Sequence, residues 1–174
     1  MTYRFLTGEI VPIADRPAAE SMPKYHLSTC FGCGPENPER LGVNPSLVGD
    51  KIVAELSFPP RFEGGPGVVH GGATAAFFDD LIGFVAMAHM LPAVTARLEI
   101  NYLEPMPIGV TIRGEAWLAS RQGRKLFTEA VGLGPAGQTY VEVQGLFLGV
   151  GIEHFAKAAE GASVPMFEQG EYYP

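Results

Sequence analysis

The 174-residue chain has little positive charge, and this scarcity limits the partners that it can bind. Its 12 lysines and arginines are outnumbered by 19 aspartates and glutamates, so the net charge is −7. Nucleic acids are bound by surfaces rich in basic residues, because these residues neutralise phosphates. The composition therefore argues against a general nucleic-acid-binding role, although a local basic patch can still hold a small phosphorylated ligand.

Cysteine is scarce as well, because the chain contains only Cys30 and Cys33. The opening MTYRFLTGEI has no continuous apolar stretch, so it lacks the pattern of a secretory signal peptide. A chain of this length suits one domain, and such a domain buries about 70% of its unfolded surface without needing covalent cross-links. We therefore expect a cytoplasmic protein with two reduced thiols.

The two cysteines form a C-x-x-C motif, and His26 stands four residues before Cys30. A closed zinc site needs four ligands, and the sequence has no second C-x-x-C or H-x-x-H motif to complete one. A redox C-x-x-C would be expected where a strand leads into a helix in a parallel fold. We therefore predict structural thiols and no bound metal, with a zinc site and a redox site as the alternatives.

Residues 73–91 are almost wholly apolar, over a length that would cross a bilayer. Asp79 and Asp80 stand in the middle of this stretch, and each would cost about 2.5–3.5 kcal/mol at the centre of a membrane helix. The pattern therefore predicts a buried helix of a soluble protein, over 71–90. Apolar residues occur on all its sides, so one sheet cannot cover it, and a second subunit is the simplest further cover.

Alternation of apolar and polar residues predicts strands before and after this helix. The alternating runs are 51–58, 97–103, 110–118, 125–133 and 138–150, with turns centred on Gln122-Gly123 and at 134–137. One strand, a long helix and four further strands predict an α+β fold with an antiparallel sheet packed on the helix. Prolines interrupt residues 1–40, which we predict to be an N-terminal arm. We place the main domain at 41–152 and a C-terminal tail at 153–174.

The helix begins at His70, Gly71 and Gly72. The two glycines leave the first N–H groups unshielded at the positive end of the helix dipole, where an anion or oxyanion can bind. A tight entry turn without any function explains the same motif. Asp79 favours the functional interpretation, since a carboxylate in an apolar helix is costly unless it is hydrogen-bonded or functional.

Helical spacing places the two aspartates on different faces, about 100° apart. Asp79 lies on a line of small residues, and Asp80 lies on a line of bulky residues. The small line is Gly72, Ala76, Asp79, Gly83 and Ala86, and the bulky line is Ala73, Phe77, Asp80, Phe84 and Met87. Small residues permit close approach of a ligand or a backbone, so Asp79 is the better candidate for chemistry.

The region from about residue 30 to residue 150 resembles a known family. The motifs are GPGVVHGGATAAFFDDLIGFVAM, then TARLEINYLEPMPIG, and the opening CFGCGPENPERLGV. They resemble the hotdog-fold acyl-CoA thioesterases of the phenylacetate-degradation type, in the 4-hydroxybenzoyl-CoA thioesterase superfamily. The resemblance implies a hotdog fold, in which an antiparallel sheet of five to six strands wraps around one long central helix. It also implies a homodimer or a dimer of dimers, with active sites between subunits.

The resemblance also implies an active site on the helix. Asp79 matches the catalytic carboxylate, which activates water or attacks the thioester carbon directly. Gly72 matches the donor to the carbonyl oxygen, with Gly71 beside it. His70 matches a residue that orients the substrate, and Thr95 matches a hydroxyl that positions water.

Further residues are candidates for binding the substrate. Many members of the family have a small or apolar residue at the position of Asp80, so this chain departs from the family there. Asp80 is therefore an alternative candidate for the base, or for a contact with the substrate. Phe77 is expected in the apolar wall of the acyl pocket. Arg121, Arg124 and Lys125 surround a predicted turn, where the family places coenzyme A phosphates; an ordinary solvated turn is the alternative. Coenzyme A enters as part of the substrate, and no cofactor is expected.

The predicted function is hydrolysis of an acyl-CoA thioester to free acid and coenzyme A. A hotdog enoyl-CoA hydratase is one alternative, but the Asp-x-x-x-x-His element of such enzymes is missing from the helix. A non-catalytic acyl- or CoA-binding protein is the other alternative, and nothing in the sequence excludes it.

Overall fold

A six-stranded antiparallel sheet and one long helix form the centre of the protein. The structure is a computed structural model, and it describes residues 5–14, 24–89 and 91–161. The strands are β1 (Ser46–Val48), β2 (Lys51–Ser57), β3 (Glu63–Gly65), β4 (Val68–Val69), β5 (Ala93–Tyr102), β6 (Thr111–Gln122), β7 (Lys125–Leu133) and β8 (Thr139–Gly149), and the helices are α1 (Gly71–Ala88) and α2 (Ile152–Glu160). The large sheet has the order β1-β2-β6-β7-β8-β5, and β3 and β4 form a separate hairpin. This architecture confirms the predicted hotdog fold.

The sequence-based prediction was wrong at two loops. The stretch after β2, where the sequence analysis predicted no strand, contains a 3-10 turn at Pro60–Phe62 and the β3–β4 hairpin. The turn between β6 and β7 is centred one residue later than expected, because Gln122 pairs with Lys125 and leaves only two residues between them. Gly123 is the first of these two, and its φ of +59° suits a residue without a Cβ.

Glycines in the sheet let α1 lie close to it. Gly114 on β6 and Gly132 on β7 are cross-strand partners. A Cβ at Gly114 would lie 2.7 Å from Leu81 Cδ2, and a Cβ at Gly132 would lie 2.8 Å from Phe78 Cζ. Real Cβ atoms do not approach so closely, so the two glycines form a groove that receives these helix side chains. Tight contact of this kind is what close-packed interiors require.

The N-terminal arm covers part of the helix that the sheet leaves open. Ile13 and Cys33 of the arm, and Leu41 and Val43 directly after it, are buried in the same hydrophobic cluster as α1. The sequence analysis assigned this cover to a second subunit, and the structure shows that the chain itself supplies part of it. The described part of the arm therefore forms a wall of the domain.

The first described residues of the arm lie on the other face of the sheet. Leu6 packs against Trp117 and Ala119 in a small separate cluster. The N–H groups of Thr7 and Gly8 donate to the two carboxylate oxygens of the buried Glu129, at 2.6 and 3.0 Å. Two charge-assisted hydrogen bonds satisfy a carboxylate that would otherwise be costly to bury.

An ion pair joins β2 to β6, and a second ion pair lies within β6 and shares the same glutamate. Lys51 Nζ lies 3.0 Å from Glu115 Oε2, and Arg113 Nε lies 2.8 Å from Glu115 Oε1. Partial burial raises the pKa of Glu115, but the two cations outweigh it, so the pKa is lowered from its ordinary value. Glu115 therefore stays ionised and holds both cations.

The long helix α1 has the length and mean hydropathy of a membrane span, with 56% of that segment buried inside the protein. Its central side chains, Phe77, Phe78, Leu81 and Ile82, are fully buried. The contacts with the sheet and the arm are those of a core helix.

Candidate active site

Asp79 and Thr95 meet where the middle of α1 faces the start of β5. Thr95 Oγ1 donates a hydrogen bond to Asp79 Oδ1 at 2.9 Å, across sixteen positions of sequence. Asp79 is half-buried and Thr95 is exposed. The hydroxyl occupies one carboxylate oxygen, and among the described residues Asp79 Oδ2 has no hydrogen-bond partner. The carboxylate is thus held in place with one oxygen available for chemistry.

A β-bulge lies directly beside Thr95. The pairing of β5 with β8 shifts between Thr95 and Arg97, so Ala96 is an extra residue that has no cross-strand partner on β8. Bulges bend a strand and change the direction of neighbouring side chains, and they are common next to functional sites. The bulge is therefore a local reason for the position of Thr95, and the sequence pattern did not reveal it.

A cavity of about 280 Å³ opens beside the Asp79–Thr95 pair. Its walls come from the second half of α1, the start of β5, β8 and the N-terminal arm. They include His26, Asp79, Met87, Leu91, Thr95 and Phe147. Mostly apolar walls with a few polar groups are typical of a small-molecule site.

The start of α1 differs from the sequence-based expectation. His70 is the N-cap residue, and its Nδ1 accepts a hydrogen bond from the Gly72 N–H at 2.9 Å. The ring nitrogen thus acts like the side-chain oxygen of an Asn or Asp cap. The Gly72 N–H, expected to be unshielded, is paired in this structure, whereas the Gly71 N–H has no acceptor among the described residues.

The two halves of the predicted active site are separated along the helix. Gly72 and Asp79 are seven residues apart on α1. At a rise of 1.5 Å per residue, this separation is about 10 Å along the axis. One carbonyl group cannot contact both residues of the same protomer, because each contact requires a distance of about 3 Å.

Tyr102 is a residue near the helix start that the sequence analysis did not select. Its hydroxyl donates to the Gly71 carbonyl oxygen at 2.8 Å, from the end of β5. The side chain is 52% exposed, which is unusual for a large ring. Tyr102 therefore ties β5 to the first turn of α1, and the alternating pattern of β5 carried no signal of this contact.

Asp80 faces away from Asp79, into a cluster formed with the N-terminal arm. His26 Nδ1 lies 3.0 Å from Asp80 Oδ1. The thiols of Cys30 and Cys33 lie 3.4 and 3.6 Å from the same oxygen. Asp80 and Asp79 thus belong to different environments, as their predicted positions on two helix faces required. Asp80 nevertheless contributes to the wall of the cavity.

The groups around Asp80 control one another's protonation. Burial lowers the pKa of the His26 ring, but hydrogen bonds to Asp80 and Cys30 outweigh it and raise the pKa to about 9. Burial raises the pKa of Asp80, and the hydrogen bond from His26 offsets only part of that effect. A hydrogen bond from Cys33 lowers the pKa of the Cys30 thiol. The pKa of each group thus depends on the charge of its neighbours.

The remaining predicted substrate residues lie at two different places. Phe77 is fully buried between α1 and the sheet, with its ring edge-on to Phe58 and Phe78, and it does not line the cavity. Arg121, Arg124 and Lys125 are exposed at the β6–β7 turn. The expected role of Phe77 in the acyl pocket is therefore wrong, because Phe77 points at the sheet, whereas Met87 lines the cavity.

The basic turn lies near the cavity in the sheet. Lys125 pairs with Leu148 on β8, and Leu148 pairs with Val94 on β5, which lines the cavity. Neighbouring strands are about 4.8 Å apart, so Lys125 is about 10 Å from Val94 across the sheet. The positive charge is thus close enough for one extended ligand to reach both places.

Comparison with known proteins supports the resemblance seen in the sequence. Residues 66–132 match the family model described as Thioesterase superfamily. The acyl-coenzyme A thioesterase THEM4 of Mus musculus is 36% identical over 117 residues, covering 63% of this chain and 50% of the mouse protein. The chain spans half or less of the length of the THEM4 relatives that it matches.

Two solved structures share the fold. A thioesterase superfamily protein, RHA08564, has a TM-score of 0.67 at 26% identity, covering 77% of this chain and 70% of that protein. The PaaI protein of the E. coli phenylacetic acid degradation operon has a TM-score of 0.60 at 19% identity, covering 64% and 81%. Residues 66–132 thus resemble the thioesterase superfamily in sequence, and the two solved structures share the fold of this chain.

Proposed function

We propose that this protein hydrolyses an acyl-coenzyme A thioester to the free acid and coenzyme A. The observation that carries the proposal is the Asp79–Thr95 hydrogen bond at the side of a largely apolar cavity. A carboxylate held in this way can take a proton from water or attack a carbonyl carbon itself. The mouse relative, which is an acyl-coenzyme A thioesterase by name, supports the same reaction.

In the proposed reaction, Asp79 Oδ2 removes a proton from a water molecule while the water oxygen bonds to the thioester carbon. The carbonyl oxygen becomes an oxyanion, which hydrogen-bond donors stabilise. The carbon–sulfur bond then breaks, the carbonyl reforms, and the sulfur leaves with the proton as the coenzyme A thiol. Thr95 keeps the carboxylate oriented throughout, because its hydroxyl holds the other carboxylate oxygen.

The oxyanion donors come from a second copy of the chain in this proposal. Asp79 and the start of its own helix are too far apart, as the seven-residue separation shows. In the large sheet β5 is an edge strand of ten residues, hydrogen-bonded on one side to β8. A long unprotected edge favours pairing with another chain. A symmetric dimer would place each helix start opposite the partner's Asp79.

The Gly71 N–H is the donor best prepared for this role. It lies at the positive end of the α1 dipole and has no acceptor among the described residues. The Gly72 N–H becomes a second donor when the ring of His70 turns away from it. His70 thus protects this donor until the substrate carbonyl replaces the ring nitrogen.

The shape and charge around the cavity fit an acyl-CoA. Its volume of about 280 Å³ is near the lower end of the range of about 300–1,000 Å³ for small-molecule pockets, so an acyl group fits inside, and coenzyme A stays outside. The exposed cations of the β6–β7 turn, two strands away, are placed for the coenzyme A phosphates.

A thiol-trapping assay with short, medium, long and aromatic acyl-CoAs tests the reaction. Asp79→Asn is expected to lower thiol release by about 10²- to 10⁴-fold, the usual contribution of a general base. Asp80→Asn makes the same chemical change one position further on, and we expect it to lose less activity than Asp79→Asn. Full activity of Asp79→Asn with loss in Asp80→Asn would transfer the role to Asp80. Wild-type protein that retains acyl-CoAs without releasing thiol would be a binding protein, and hydrolysis would be refuted.

Mixed dimers test whether the site is shared. Gly71→Pro removes the N–H donor at the first helical position, where proline is tolerated. His70 already has extended φ and ψ, which suit a residue before proline. Co-refolding inactive Asp79→Asn with inactive Gly71→Pro creates dimers with one intact site. Random assortment predicts recovery of about a quarter of wild-type activity, whereas sites contained within one chain predict none.

A further inference from the structure

We propose that His26, Cys30, Cys33 and Asp80 bind a zinc ion that fastens the N-terminal arm to the central helix. One ligand atom from each of these four side chains lies within 4.8 Å of all the others. Three of them come from the arm and the fourth from α1, 47 positions after Cys33. The sequence-based prediction of metal-free thiols counted only paired motifs, and it could not include a single aspartate from a distant helix.

Four of the six ligand–ligand distances in the cluster are close to those of a tetrahedron around zinc. Zinc bonds are about 2.0–2.1 Å long to nitrogen or oxygen and about 2.3 Å long to sulfur. In a tetrahedron with these bonds, a nitrogen and an oxygen ligand lie about 3.3 Å apart. A sulfur ligand lies about 3.5 Å from a nitrogen or oxygen ligand. The His26 Nδ1–Asp80 Oδ1 distance is 3.0 Å, and the His26 Nδ1–Cys33 Sγ distance is 3.3 Å. The two sulfur–Asp80 Oδ1 distances are 3.4 and 3.6 Å.

The kind and number of ligands select zinc and a structural role. Two thiolates and one imidazole favour zinc over hard cations such as calcium or magnesium, which prefer oxygen ligands. Four protein ligands complete a tetrahedral coordination sphere, whereas catalytic zinc sites keep one position for water or substrate. The ion therefore organises the arm, and it is separate from the reacting carboxylate of Asp79.

Two glycines make room for the cluster. A Cβ at Gly32, between the two cysteines, would overlap the carboxylate of Asp80. A Cβ at Gly83 would lie 2.9 Å from His26 Nε2. Glycine at these positions thus allows the carboxylate and the imidazole to enter a space that any other side chain would fill. Gly83 on the small-residue line of the helix accommodates a side chain of the arm.

Asp80 supplies an independent sign that the cluster is incomplete without an ion. Its side chain is 9% exposed, and its Oδ2 is buried with no hydrogen-bond partner among the described residues. Buried carboxylate oxygens are usually hydrogen-bonded or bound to a metal. A zinc ion at the centre of the cluster offsets two of the three negative charges that this carboxylate and the two thiolates carry.

The backbone of the arm already holds the sulfurs in position. The His26 N–H donates to Cys33 Sγ at 3.2 Å, and the Gly34 N–H donates to the Cys30 carbonyl oxygen at 2.9 Å. Such outer hydrogen bonds orient the ligands of metal sites. Because His26 and Cys30 also line the cavity, the ion fixes one wall of the proposed acyl site.

Elemental analysis of the purified protein is the first test. We expect about one equivalent of zinc per chain in the wild type, and less than a tenth of an equivalent in Cys30→Ser, Cys33→Ser and Asp80→Asn. Asp79→Asn is the matched control, since it removes the adjacent carboxylate and should retain full zinc. The activity of Asp79→Asn tests the proposed hydrolysis, and its metal content tests the zinc site. The two proposals are thus separated, because failure of the proposed hydrolysis would leave the zinc content unchanged.

Cobalt and a chelator test the site without relying on the variants to fold. Protein loaded with Co²⁺ should show the visible absorption of tetrahedral cobalt bound to thiolate. A strong chelator should expose two thiols to titration and lower the melting temperature of the wild type, with recovery on adding Zn²⁺. Folded wild type that holds less than a tenth of an equivalent of any metal and gives no such spectrum would refute the proposal. So would a Cys30–Cys33 disulfide in the purified protein, or a different metal on these ligands.

Discussion

Replacing Thr95 with valine isolates the contribution of one hydroxyl to the proposed chemistry. Valine has nearly the same shape as threonine, and it suits a strand, so β5 should keep its structure. The change removes the 2.9 Å hydrogen bond to Asp79 Oδ1. Thr95 does not contact the reacting atoms in this proposal, so it is a positioning residue.

The size of the effect follows from the kind of hydrogen bond. A hydrogen bond to a charged group contributes about 1.5–3 kcal/mol, and the exposure of Thr95 favours the lower end of that range. Each 1.36 kcal/mol corresponds to a tenfold change in rate. We therefore expect Thr95→Val to lower kcat about tenfold with little change in KM, because the carboxylate loses its orientation while the cavity keeps its shape.

Steady-state thiol release by Thr95→Val, Thr95→Ser and wild type measures this effect. Thr95→Ser retains the hydroxyl and should retain most of kcat. Thr111→Val, an exposed threonine at the start of β6, is the matched control and should behave as wild type. Equal activity of Thr95→Val and wild type would show that the hydrogen bond does not position the carboxylate. A rise in KM alone would instead make Thr95 a substrate contact.

Three further predictions concern packing, pH and substrate charge. Gly114→Ala should destabilise the fold by about 1–3 kcal/mol in denaturant unfolding, because its Cβ would meet Leu81 at 2.7 Å; an unchanged midpoint would contradict the tight helix–sheet contact. Glu115 has a lowered pKa in the folded state, so its ion pairs stabilise the protein above the unfolded pKa and are lost as pH falls through the folded value. Unfolding curves of Glu115→Gln should therefore depend less on pH on the acid side of neutrality than those of wild type. Arg124→Ala should raise KM for acyl-CoA, with a difference that shrinks in high salt, whereas the exposed control Lys157→Ala should not; equal KM values for both variants would remove the basic turn from the binding site.

Local patterns in the sequence determined most of the fold. The run of apolar residues predicted α1 to within two residues of its observed end at Ala88, and alternation predicted β7 with its observed bounds. Such patterns are reliable because helix and strand periods depend on neighbouring residues alone. The motifs of the helix and β5 also predicted a resemblance to the thioesterase superfamily, and residues 66–132 match the model of that family. The roles of Asp79, His70, Gly72 and Thr95 stay predictions.

Tertiary structure decided which polar groups meet. The sequence places Asp79 and Asp80 side by side, yet one binds a hydroxyl of β5 and the other faces an imidazole and two thiols of the arm. Neither set of contacts follows from a fixed spacing along the sequence, because each contact forms only where a bulge or a loop brings distant residues together. Ligand counting along the chain therefore missed the cluster around Asp80, and only the packing of the arm on α1 revealed it.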